Sequence, residues 1–215
     1  MALSYVGGAA GTNTVTFPSF QNGDLAIMFA FRDGNATNPT IPAGWTTITN
    51  TTDGTLCSIS VAWRRLITGA TSGTFTNASR VVCGVWRGAE PFITPIGANK
   101  GVGANTTKTL SYTTFTMSRT NSTSWVVGFI GHRSIDVTCE TPPSGMTYRT
   151  GGVDATAEAQ FHDTNGAVNS WATTTVSASG TAAAWQTYTL EILAMPDQLP
   201  AESYKAPLIP VQRKR

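Results

Sequence analysis

The sequence predicts an all-β protein, an antiparallel, jelly-roll-like β-sandwich, and three observations carry that expectation. Threonine makes up about one residue in six and glycine about one in ten, whereas only four lysines are present; β-branched and turn residues favour strands over helices. No window sustains an apolar i, i+3, i+4, i+7 pattern, so helix content is expected to be low. About a dozen short apolar or alternating runs are separated by Gly, Asn, Asp and Pro turns, the spacing of two packed antiparallel sheets.

Taken in order, the runs of the first half are 14–17, 25–32, 44–49, 57–66, 73–76 and 80–87. The run at 25–32 (LAIMFAFR) is apolar at nearly every position, as in a strand covered on both faces. In 57–66, Ile59, Val61 and Trp63 alternate with Ser58, Ser60 and Ala62, the period-two pattern of a strand. The second half offers 108–117, 125–132, 145–150, 157–162, 173–177 and 184–193. There, 125–132 (WVVGFIGH) is again apolar on both faces, and Tyr188, Leu190 and Ile192 alternate with Thr187, Thr189 and Glu191.

The two halves also share a segment. Residues 24–48 align without a gap to residues 125–149, a displacement of 101. Arg32 matches Arg133, Pro42 matches Pro143 and Gly44 matches Gly145, with Thr37, Thr40 and Thr46 matching Thr138, Thr141 and Thr147. Each copy is an apolar run ending in arginine, then a polar loop, then a Pro-x-Gly turn into a further strand. A fixed loop length sets how two strands meet, so one architectural unit is built twice. The expected body spans 1–195, with repeat halves at about 4–95 and 104–195. A half of this size is able to fold alone, but one sandwich with pseudo-twofold organisation is preferred.

Charge and cysteine usage bound the function. The formal net charge is +2, and residues 196–215 contain Lys205, Arg213, Lys214 and Arg215 against Asp197 and Glu202. The body therefore carries ten basic and ten acidic groups. A neutral, sparsely charged body lacks the phosphate-neutralising surface of a nucleic-acid binder. The start, MALSYVGGAAG, has neither the basic region of a signal peptide nor a membrane-spanning apolar stretch. Cys57, Cys83 and Cys139 show no CxxC spacing and are expected to be reduced thiols, as suits synthesis in a cytoplasm.

Catalytic constellations are hard to assemble from these residues. His132 ends the repeated apolar strand and reads as a packing residue, and His162-Asp163 reads as a strand end before a Thr-Asn-Gly turn. No nucleophile elbow, HExxH or phosphate-binding loop is present. Glu140 and Glu158 are the least implausible pair for glycoside cleavage. Asp163–Gly166 resembles the opening of a calcium loop without its further acidic ligands, and a turn accounts for it better. No catalytic residue, cofactor or metal is expected. Arg32 and Arg133 are expected to end their strands with stems over the sandwich edge, the alternative being a pair of ligand sites. Six tryptophans raise the possibility of a sugar platform, with Trp45, Tyr148 and Trp171 as the loop aromatics that would support it.

Beyond Met195 the chain has prolines at 196, 200, 207 and 210 and no periodicity. Such spacing favours extended, polyproline-like chain. The segment reads either as a disordered tail or, preferably, as an arm on a partner subunit. In the arm reading Leu199, Tyr204, Leu208, Ile209 and Val211 fill pockets, with Arg213 and Arg215 beyond them.

Gly23-Asp24, Pro42-Ala-Gly-Trp45, Trp63-Arg64 and Trp86-Arg87-Gly88 together resemble a pattern found in structural proteins of tailed bacteriophages, described as minor tail or head-decorating proteins. The resemblance covers roughly residues 4–95 and, more weakly, 104–195, where Ser124-Trp125 and Gly145-Met146 replace the Gly-Asp and Gly-Trp. It implies a virion location and no enzymatic activity: a decoration or accessory subunit attached to capsid or tail proteins through its arm and self-associating as a homo-oligomer. A tail-borne module that recognises host carbohydrate is the alternative.

Overall fold

Two five-stranded antiparallel sheets pack face to face in the computed structural model, which describes residues 2–133, 141–153, 158–177 and 182–195. The first sheet is built from β1 (Ser4–Gly11), β2 (Leu25–Asp33), β3 (Thr46–Thr52), β4 (Cys57–Arg65) and β5 (Arg80–Arg87), in the order β1-β5-β2-β4-β3. The second is built from β6 (Ile96–Thr107), β8 (Trp125–His132), β9 (Thr147–Val153), β10 (Glu158–Asp163) and β12 (Ala183–Ile192), in the order β6-β12-β8-β10-β9. A separate ribbon pairs β7 (Thr109–Tyr112) with β11 (Thr174–Ser177). Substituting β6, β8, β9, β10 and β12 for β1 to β5 converts one strand order into the other. Each half thus supplies one whole sheet, and the duplication is topological as well as sequential.

The halves share one core. Leu25, Ile27, Phe29 and Phe31 of β2 face Val127 and Phe129 of β8, with Ile59, Val61, Phe161, Tyr188 and Leu190 around them. Phe29 and Phe129 stack with ring centroids 5.5 Å apart and planes 4° from parallel. One step further along the strands, a Cβ at Gly131 would lie 2.2 Å from the Phe31 ring. One step beyond that, Asp33 and Arg133 form an ion pair. Residues 100 apart therefore face each other in succession, and the pseudo-twofold axis runs along the strands between them.

This geometry revises the gapless alignment. A displacement of 101 holds for the turns, where Gly44 and Gly145 adopt φ of +85° and +81°, and for β3 and β9. Along β2 and β8 it is 100. Side chains alternate between faces, so the one-residue difference matters. Arg32 lies on the outward-facing positions of β2 and donates to the Thr37 carbonyl, whereas Arg133 follows the inward-facing positions of β8. The two matched arginines are not structural equivalents. Both strands are apolar on both faces, which removes the alternation that would have set the register.

Each sheet also has a covered outer face. Ala26, Met28, Ala30, Val81, Cys83 and Val85 lie under the loops before β2 and after β4, with Leu66 and Phe75. Val126, Ile130 and Trp185 lie under the ribbon and its flanking loops, with Leu110, Tyr112, Met117 and Val176. The predicted strands at 14–17 and 73–76 are irregular covering loops, joined where the Phe75 N–H donates to the Asn13 carbonyl. In the second half the run at 108–117 narrows to the four residues of β7, while the run at 173–177 corresponds to β11. The glycine-rich β1 and β6 were not among the predicted runs. They occupy equivalent sheet edges, where side chains would collide with neighbours: a Cβ at Gly101 would meet Tyr188 at 2.9 Å and one at Gly97 would meet Glu191 at 2.4 Å.

Candidate functional site

Chain entry, the connection between halves and the last described residue converge at one pole of the sandwich. The connection crosses there because β5 ends at Arg87 and β6 begins at Ile96. Ala89 forms a bridge with Ala194, the Glu90 N–H donates to the Leu193 carbonyl, and the Met195 N–H donates to the Gly88 carbonyl. Gly88, at φ +81°, passes so close to the chain start that a Cβ would lie 2.4 Å from the Ala2 carbonyl oxygen.

A charged network fixes this pole. The buried Glu90 carboxylate pairs with Arg119 at 2.9 Å and accepts the Phe92 N–H. Burial opposes ionisation of Glu90, but the hydrogen bonds from Arg119 and Phe92 outweigh it and hold its pKa below the ordinary glutamate value. Arg65 donates to the Gly23, Ala89 and Glu90 carbonyls, locking the first sheet to the connection. Glu191 accepts backbone N–H groups from Ala98, Ser118 and Arg119.

On this scaffold the connection presents apolar side chains outward. Phe92 is 86% exposed and Ile93 61% exposed. A cavity of about 300 Å³ opens beside the strap formed by residues 89–90 and 193–194, lined by Leu3, Trp125, Ala194 and Met195 among others. Met195, in this cavity wall, is the last described residue. Every arm residue singled out from sequence, Leu199, Tyr204, Leu208, Ile209, Val211, Arg213 and Arg215, lies outside the described residues, as do Cys139 and Glu140.

The remaining candidates resolve into structural roles. Pro42 and Gly44, like Pro143 and Gly145, form the turns before β3 and β9. Cys57 and Cys83 are buried thiols without a disulfide, and burial raises both pKa values, so neither is a ready nucleophile. Asp163 is buried and accepts from the Trp86 indole at 3.3 Å and from Arg149 at 2.9 Å. It joins the two sheets, and the turn after it is confirmed by Asn165 at φ +46°. Among the described residues no group of three or more His, Cys, Asp or Glu side chains is arranged to hold a metal ion.

Sequence reasoning missed one asymmetry. The outward positions Ser58, Ser60 and Ala62 of β4 correspond, 100 residues on, to Glu158, Gln160 and His162 of β10. All three second-half residues are buried. The Tyr112 hydroxyl is 2.9 Å from the Gly128 carbonyl and 2.7 Å from His162 Nδ1. Donation to the carbonyl leaves the tyrosine oxygen to accept from the imidazole. Glu158 stands opposite His132 in register, so both histidines are packed within the sheet's covered outer face. The signal available in sequence was the alternation Glu158, Gln160, His162 in step with Ala159 and Phe161.

No known protein-family description, curated protein or solved structure matches this chain.

Proposed function

We propose that this chain is a non-enzymatic structural protein of a tailed-bacteriophage particle, a decoration or accessory subunit. It attaches to capsid or tail subunits through residues 196–215 and the apolar pole from which they continue. The observation that carries this reading is the outward display of Phe92 and Ile93 on the same strap that holds Ala194 and Met195. Exposed aromatic and aliphatic side chains anchored on the strap are suited to filling pockets on a partner, and covalent linkage to residues 196–215 raises the effective concentration of a second contact. The resemblance of Pro42-Ala-Gly-Trp45, Trp63-Arg64 and Trp86-Arg87-Gly88 to the phage pattern supports the virion context. Self-association into a closed homo-oligomer accords with that role.

The test is attachment of the full chain and a 1–195 truncation to particles lacking this protein, with circular dichroism confirming that the truncated body folds. Loss of attachment by the folded truncation supports the assembly role. Undiminished attachment by both the truncation and a Phe92→Ser/Ile93→Ser variant would refute it.

A further inference from the structure

The two copies of the repeated unit differ in how their outer-face loops close. In the first half an aromatic cluster fills the space. Trp45 lies 5.5 Å from Phe75 and 6.2 Å from Phe17, and its indole N–H donates to the Ser72 carbonyl at 2.9 Å. Met146 takes the corresponding turn position in the second half and joins an apolar cluster with Phe115 and Trp171. There the loops part around a cleft of about 510 Å³.

Phe115 and Trp171 are half-buried in this cleft and lie nearly parallel, with centroids 6.5 Å apart and planes 30° apart. The Trp171 indole donates to the Thr113 carbonyl, and the Thr114 hydroxyl donates to the Trp171 carbonyl, so the two loops are pinned together. Around the rings, Thr116, Thr120, Asn169 and Ser170 are exposed at the cleft wall. Among the described residues no charged side chain lines it.

We infer that this cleft is a binding site for a neutral oligosaccharide. A sugar ring has an apolar C–H face, which packs on aromatic carbon, and a rim of hydroxyls, which pair with uncharged hydroxyl and amide groups. Phe115 and Trp171 supply the first surface, and the threonine, asparagine and serine side chains supply the second. The volume lies within the range of small-ligand sites. The uncharged wall selects against acidic sugars, whose carboxylates would be desolvated without a cation. This inference stands independently of attachment through residues 196–215.

The test titrates the full chain with maltohexaose, cellohexaose, laminarihexaose, chitohexaose and an acidic hyaluronan hexasaccharide, followed by calorimetry and tryptophan fluorescence. At least one neutral hexasaccharide is expected to bind saturably. Trp171→Ala should weaken that binding about tenfold or more, and Thr116→Arg, at an exposed wall position, should block it with the fold intact. Absence of binding by every neutral sugar, preference for the acidic one, or binding unchanged in folded Thr116→Arg would overturn the assignment. The 1–195 truncation should bind sugar like the full chain whether or not it attaches to particles.

Discussion

Glu191 illustrates how a single buried carboxylate organises distant backbone. Its oxygens accept from Ala98 at the start of β6 and from Ser118 and Arg119 in the loop before β8. Burial disfavours the charge, but hydrogen bonds from the backbone N–H groups of Ser118 and Ala98 more than compensate, and the pKa falls below the ordinary glutamate value. A folded-state pKa below the unfolded value means that the contribution to stability is present above about pH 4.3 and is lost as pH falls through the folded value. Melting temperatures measured between pH 3 and 7 should therefore drop at the acidic end. Glu191→Gln should melt lower at pH 7 and show a shallower acid slope; an unchanged acid slope would remove Glu191 from that account. The residue's place at a strand end was readable from the alternation of 184–193, but the N–H groups that donate to it were not. They lie more than 70 residues away in sequence, and a backbone donor leaves no side-chain signature to advertise it.

At the level of elements, legibility followed side-chain pattern. The runs at 80–87 and 125–132 coincide with β5 and β8 because apolar stretches between turn residues have few other solutions. The edge strands β1 and β6 escaped notice because their glycines are selected by close approach across the sheet, an interaction invisible in local composition. The same distinction separates strand from turn glycines. A methyl group at Gly131 would be driven into the Phe31 ring and toward its Cβ, whereas one at Gly145 meets nothing within 4 Å and strains only the positive φ. Gly131→Ala should cost about 1–3 kcal/mol through overpacking, and Gly145→Ala about 1–2 kcal/mol through backbone strain alone. Urea unfolding of both variants checks this. If an added volume-reducing change, Phe31→Leu, fails to recover stability in Gly131→Ala but does so in Gly145→Ala, the steric explanation is wrong.

For the whole molecule, the repeat in sequence revealed the two-part construction but not its register. The turns kept a displacement of 101 while the central strands kept 100, and only the stack of Phe29 on Phe129 and the pairing of Asp33 with Arg133 fix the latter. The candidate cleft shows a similar division. Trp171 was recognisable as a loop aromatic, but its companion Phe115 comes from a segment more than 50 residues away, brought beside it by the β7–β11 ribbon.

The convergence of Ala2, Gly88 and Met195 at one pole carries a consequence for the order in which the chain is written. Because each half forms a complete sheet, the body is indifferent to which sheet is synthesised first, provided the join is short. A circular permutant that links Met195 to Ala2 by a few glycines and opens between Phe92 and Ile93 would start with the second sheet and finish with the first. It should recover the same sandwich, as judged by near-ultraviolet circular dichroism and a single unfolding transition. The pole is then a hinge of genetic connectivity, the place where a doubled unit admits reordering without disturbing its shared interior.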